Sequence, residues 1–150
     1  MKDKKISPIT VLDKSPMFVC GVMQRMYRNR AQAELSRQSL ITLEMASALA
    51  AIEEFQPMSQ QALANAVICE RSVAKRMVDN LQKRGLVQVS KCESNRRIKM
   101  LSLTTDGQQT LQKVHEIMTN LQRDFFSCLS ESETSEFVRL IRKVTLANHD

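Results

Sequence analysis

Apolar residues recur along this chain with two different periods. Val73, Ala74, Met77 and Leu81 fall within one arc of about 100° when each residue advances by about 100° around a helix. Ser72, Lys75, Arg76, Asp79 and Lys83 fill a second arc roughly opposite. Further on, Leu111, Val114, Met118, Leu121 and Phe125 follow at spacings of three, four, three and four, the pattern of a helix-pairing seam. Phe137, Leu140, Ile141 and Val144 mark one side of a last helix. Between these helical stretches the period drops towards two. Leu86-Val-Gln-Val-Ser90 and Ile98-Lys-Met-Leu-Ser-Leu103 read as short strands joined by the turn Cys92-Glu-Ser-Asn-Arg-Arg97.

Capping residues divide the rest. Ser15-Pro16 starts a helix that reaches about Leu35, with Ser as N-cap and Pro at the first helical position. Thr42 caps a second helix, with Glu44 near its positive end, that stops around Phe55 before Pro57. Ser59 caps a short third helix, Gln60 to about Ala66. A fourth runs from Arg71 to Arg84 and ends at Gly85, the residue type that favours a left-handed C′ position. Thr104 opens the long fifth helix, and Ser130 with Glu133 forms a capping box for the sixth. Residues 1–14 read as an irregular arm. The predicted fold is mainly α with a small β-hairpin wing (α+β): a winged helix-turn-helix with long N- and C-terminal helices. Those flanking helices exceed what one small core needs, so they read as a dimer interface.

The chain has 150 residues, enough for one domain, and only three glycines and three prolines. No apolar run reaches the eighteen or so residues that cross a bilayer. Asp13, Lys14 and Pro16 interrupt what could otherwise resemble a signal peptide, so the expected setting is cytoplasmic, with no membrane. Cysteines at 20, 69, 92 and 128 form no CxxC pair, and His115 and His149 lie far from any cluster. No metal, no cofactor and no catalytic constellation is therefore expected, and the thiols should stay reduced. The net charge of +6 lies in one window. Residues 66–100 hold nine Lys/Arg and three acids, while the remainder holds thirteen of each sign. A concentrated basic surface suits a polyanion, although a merely solvated basic face would read the same way.

The helix pair that starts at Ser59 and Arg71 gives that charge a geometry. In a helix-turn-helix the first helix crosses the nucleic-acid backbone and the second enters the major groove. The candidate DNA-binding residues are Ser59, Gln60 and Gln61 on the first helix, Arg71, Ser72, Lys75 and Arg76 on the second, and Asn95, Arg96 and Arg97 at the wing tip. Arginine suits a narrow, electronegative minor groove. Three pieces then stand in order: Leu81…Gly85-Leu86-Val87, a wing that ends in Arg-Arg, and Leu103-Thr104-x-x-Gly107. With them the chain resembles the MarR family of bacterial winged-helix regulators. The family wing reads Asp-x-Arg, so Arg97 takes the arginine's place while Asn95 replaces the acid. Glu93 could substitute for that charge.

The resemblance implies one MarR-like domain over residues 1–150. Its DNA-binding lobe spans about 40–104, and its dimerisation helices span about 15–38 and 105–147. It further implies a homodimer on double-stranded DNA at a pseudo-palindromic operator. Repression relieved by a small phenolic or anionic ligand, or by an oxidant, is the usual family role. Cys20 stands where a peroxide-sensing branch keeps its reactive cysteine, with Tyr27 two turns along the same helix; a small buried apolar residue is the commoner outcome for such a position. Cys69, ahead of the fourth helix, and Cys92, at the wing, are weaker redox candidates. The nine methionines could line an adaptable cleft or fill a core. The alternative function is a winged-helix protein-interaction module with only non-specific DNA binding.

Overall fold

The computed structural model describes residues 9, 12, 14–38, 40–92, 94, 95 and 98–148. Most of the arm, Glu93, the wing-tip Arg96 and Arg97, and His149 lie outside the described residues.

Local capping sets the elements. The Ser15 hydroxyl accepts the Phe18 N–H, and Pro16 opens α1 (Pro16–Arg37). Thr42 accepts the Met45 N–H at the start of α2 (Leu43–Phe55). A strand of two residues, β1 (Met58–Ser59), leads directly into α3 (Gln60–Ala66), with the Ser59 hydroxyl accepting the Ala62 N–H at 3.1 Å. Next come α4 (Arg71–Lys83), β2 (Val87–Lys91), β3 (Lys99–Leu103), α5 (Thr105–Phe125) and α6 (Glu131–Ala147). The reciprocal Ser130–Glu133 capping box is present in full.

Two helices end in the same motif with different residues. At the end of α4 the Leu86 N–H reaches Leu81 O and the Gly85 N–H reaches Gln82 O, with Gly85 at φ +71°. This is a Schellman turn, and glycine adopts its left-handed C′ position without a Cβ clash. At the end of α3 the Cys69 N–H reaches Ala64 O and the Ile68 N–H reaches Asn65 O. Here the left-handed residue is Ile68, at φ +51° and 80% exposed. A β-branched side chain is strained in that region.

The sheet departs from the expected hairpin. It has three antiparallel strands in the order β1-β3-β2, with Met58 opposite Leu101 and Ser59 opposite Met100. Two residues cannot show a period, so β1 leaves no alternation in the sequence. Leu86 and Ile98, read as strand residues, lie just outside β2 and β3.

The core sits where α2, α3 and α4 meet the sheet and α5. Its fully buried large side chains are Leu35, Leu49, Ile52, Leu63, Leu81 and Leu101. Burying each such side chain contributes about 1.5–3 kcal/mol. The anticipated stripe of α4 faces inward, with Ala74, Met77 and Leu81 buried and Val73 half-buried, and Val78 joins it. The seam on α5 is buried only at Leu111 and Val114; Met118, Leu121 and Phe125 are half-buried. None of α6 is buried on this chain. Val138, Leu140, Ile141, Val144 and Leu146 are exposed, as are Met17 and Val19 on α1.

Polar contacts join the long helices to the lobe. Gln32 on α1 accepts the Leu43 N–H that opens α2, and Arg28 pairs with Glu44. The carboxyl of Glu44 is held below its ordinary range by its own backbone N–H, then by the Thr42 hydroxyl and Arg28, against an opposing contribution from burial. Arg84, which caps α4, donates to Leu40 O in the α1–α2 connection at 3.4 Å. At the start of α5, Thr104 donates its hydroxyl to Gly85 O at 2.6 Å and its N–H to Leu86 O at 3.1 Å. Gly107 lies so close beneath Leu86 that a Cβ there would stand 2.0 Å from the Leu86 carbonyl oxygen. Among the described residues, no helix is long and apolar enough to cross a membrane.

Candidate nucleic-acid interface

The first turn of α3, the first turns of α4 and the start of β3 enclose an open groove of about 570 Å³. Six of the ten candidate DNA-binding residues line it: Ser59, Gln60, Gln61, Arg71, Ser72 and Lys75. The Ser59–Ala62 cap and the α3–α4 turn fix the two helix starts side by side, which brings these residues together. Arg76 lies outside the groove lining, on the exposed outer face of α4 with Asp79 and Lys83. Among the described residues, none of the ion pairs involves Arg71, Lys75, Arg76 or Lys99. The groove's cations are exposed, and no carboxylate is among the residues that line it.

Residues 41–99 match the MarR family. The chain folds as a MarR-type winged helix. It is 30% identical over 86 residues to the HTH-type transcriptional regulator BilQ of Clostridium symbiosum (strain WAL-14163), a match that covers 57% of this chain and 60% of that protein. The chain thus spans about three-fifths of that relative's length. A cysteine-to-serine mutant of MarR from E. coli, solved in complex with operator DNA, superposes with a TM-score of 0.82 at 19% identity, covering 92% of this chain and 99% of that one. PcaV from Streptomyces coelicolor, solved with its natural ligand, gives 0.76 at 20% identity, covering 92% and 96%.

Within this MarR-type lobe the wing is held at its base. Asn95, which stands where the family acid would be, accepts the Ile98 N–H on its backbone carbonyl at 2.9 Å. Beyond it, Cys92 donates its N–H to Ile98 O at 3.0 Å. The two residues that sequence reasoning omitted from the groove are Ile98 and Lys99. Lys99 was visible only as part of the charge excess. Its position over the groove follows from strand register, which no residue type announces.

The redox candidates separate from one another in space. Cys20 is half-buried on α1. Tyr27 packs edge-on against Phe125 with ring centroids 5.2 Å apart, and its burial pushes its phenol pKa up. Phe126 and Phe137 extend this cluster, and Arg30 stacks over Phe125 at 5.3 Å. The tyrosine thus serves the joint between α1, α5 and α6. Cys69 packs against the core and donates its thiol to Glu70 O at 3.5 Å. Cys92 lies within 3.2 Å of the Ser94 hydroxyl.

Proposed function

We propose that this chain is a sequence-specific, DNA-binding transcriptional regulator that acts as a homodimer on a pseudo-palindromic operator. The observation that carries the reading is the groove: Arg71, Ser72 and Lys75 of α4 share it with the first turn of α3, free of any carboxylate in its lining. In this reading α4 enters the major groove, with Arg76 beside it, and Ser59, Gln60 and Gln61 meet the backbone. Asn95, Arg96 and Arg97 belong to a wing that reaches the adjacent minor groove. The lobe over about 40–104 reads DNA. The helices over about 15–38 and 105–147 pair two copies through the apolar side of α6 and the exposed end of α1. A helix of 17 residues with no buried side chain and five exposed large apolar ones supports this pairing.

The finer role is repression relieved by a small phenolic or anionic ligand, or by oxidation at Cys20. A crevice of about 270 Å³ between α2 and α5, lined by Ala46, Ala50, Val114, His115 and Met118, offers an apolar floor with a polar rim. The PcaV structure with its natural ligand supports a liganded state of the same fold.

Selection of bound fragments from random-sequence DNA, followed by footprinting, tests the reading. A protected palindrome is expected, with half-site centres about one helical turn, ~10 bp, apart. Arg76→Ala or Lys75→Ala should relax base preference as well as affinity, and Arg97→Ala should weaken binding and reduce its salt dependence. Recovery of no preferred sequence, with binding abolished by moderate salt, would instead indicate an interaction module with non-specific DNA affinity.

A further inference from the structure

Where the wing leaves the lobe, two lysines stand opposite each other. Lys91 ends β2, Lys99 opens β3, and the register pairs them directly. Cys92, opposite Ile98, donates its N–H to Ile98 O, which gives Lys91 and Lys99 the alternate, non-hydrogen-bonded position in the ladder, where side chains approach more closely. Alternation puts both lysines on the sheet face that also carries the pairs Val89–Leu101 and Val87–Leu103. Val87, Leu101 and Leu103 are buried in the core, whereas Lys91 and Lys99 lie beyond its edge and are exposed. Lys99 overhangs the groove that holds Arg71 and Lys75.

Like charges directly opposite in a ladder destabilise it. Among the described residues, none of the ion pairs offsets either lysine. Such a pair suits an anion that both ammonium groups contact together. Lysine acts on phosphate as a point charge and needs no fixed approach angle, which fits a contact that ignores sequence. The position selects the anion's source. A duplex seated in the groove carries its backbone past this stem, because Lys99 is itself part of the groove lining.

We propose that Lys91 and Lys99 form a phosphate clamp at the stem of the wing, a contact to the nucleic-acid backbone separate from the recognition helix and from the wing tip. The clamp rests on the DNA-binding reading above. It fixes the duplex between its two grooves, and the bound phosphate removes the repulsion that loosens the stem in the unbound protein.

The test uses the full chain, a random-sequence duplex and a salt series read by fluorescence anisotropy, with thermal unfolding of the unbound protein alongside. Lys91→Gln and Lys99→Gln should each weaken binding to all sequences alike and lower the log–log salt slope by about one per lysine lost. Wild type and variant should then converge about three- to fourfold per lysine between 50 and 200 mM salt. Unfolding midpoints should stay level or rise. Lys99→Glu, which places a carboxylate opposite Lys91, should raise the midpoint further while weakening binding more than either glutamine. Unchanged salt slopes in both glutamine variants, with wild-type binding intact, would overturn the clamp and leave the DNA-binding reading standing. A fall in midpoint for Lys99→Glu would likewise overturn it. Absence of salt-dependent binding by the wild type would overturn the DNA-binding reading first, and the clamp with it.

Discussion

Replacing Gly107 by alanine should destabilise the protein, although alanine is the better helix former. Gly107 lies in the first turn of α5, where alanine would ordinarily gain about 1 kcal/mol. Here its Cβ would stand 2.0 Å from the Leu86 carbonyl oxygen and 3.0 Å from the carbonyl carbon. The oxygen would have to withdraw by about 1 Å before the contact became even marginally tolerable. It is not at liberty to do so: it accepts the Thr104 N–H at 3.1 Å, and the Leu86 N–H is bound to Leu81 O at 3.0 Å in the turn that ends α4. Overpacking of this kind costs about 1–3 kcal/mol. Loss of the Thr104 bond adds about 0.5–1.5 kcal/mol. Set against the helical gain, the net loss is about 1–3 kcal/mol, or roughly 3–10 °C in Tm for a chain of this length. Urea unfolding followed by far-UV circular dichroism, at fixed protein concentration, measures it. Gly21→Ala provides the opposite sign, because a Cβ at Gly21 meets nothing within 4 Å in the middle of α1. That variant should gain about 0.5–1 kcal/mol. A Gly107→Ala protein that unfolds at the same or higher urea concentration than wild type, with an unchanged m-value, would refute the reasoning.

Three further outcomes follow from the structure. Ile68→Asn should stabilise the chain by about 0.5–1 kcal/mol, because asparagine tolerates the left-handed backbone that Ile68 adopts at φ +51° and the lost side chain is 80% exposed; a lower unfolding midpoint would contradict this. Ile141→Asp should weaken self-association by about a hundredfold or more, since each copy would bury a charge against an apolar face; sedimentation reads it, and an unchanged mass at all concentrations would remove α6 from the interface. Glu44→Gln should flatten the acid limb of the stability curve. The folded-state pKa of Glu44 is lowered from 4.5, so its contribution is complete above that value and disappears as pH falls through the lowered one. Unfolding midpoints measured across that range should differ least at the lowest pH, and a constant gap would contradict the assignment.

Much of this architecture was legible because the chain marks its own boundaries. Ser15, Thr42, Ser59, Thr104 and Ser130 each cap the helix that follows, and Gly85 ends α4 through its positive φ. These signals are local, so the sequence carries them in full. What escaped depends on segments distant in the chain. The two-residue β1 exists only through its pairing with Leu101 and Met100. The groove position of Lys99 depends on register across the wing. Tyr27, read as a companion of Cys20 on one helix, meets Phe125 and Phe126 from a helix nearly a hundred residues later. Gly107 stood out only through resemblance to a known pattern; its physical reason is the close approach of the Leu86 carbonyl.

The contacts between the end of α4 and the beginning of α5 have a mechanical consequence. Because Thr104 and Gly107 seat α5 directly on the turn at Gly85 and Leu86, the two helices cannot change their mutual angle without breaking that seat. A tilt of α5 is therefore a tilt of α4. At 1.5 Å per residue, the 21 residues of α5 make a lever about 32 Å long. A rotation of only about 5° at its far end, near the Tyr27–Phe125 contact, displaces the groove by about 3 Å, close to the ~3.4 Å rise of one base pair. If two such chains pair and bind DNA as proposed, the spacing of their grooves would be tuned by an aromatic joint at the opposite end of α5.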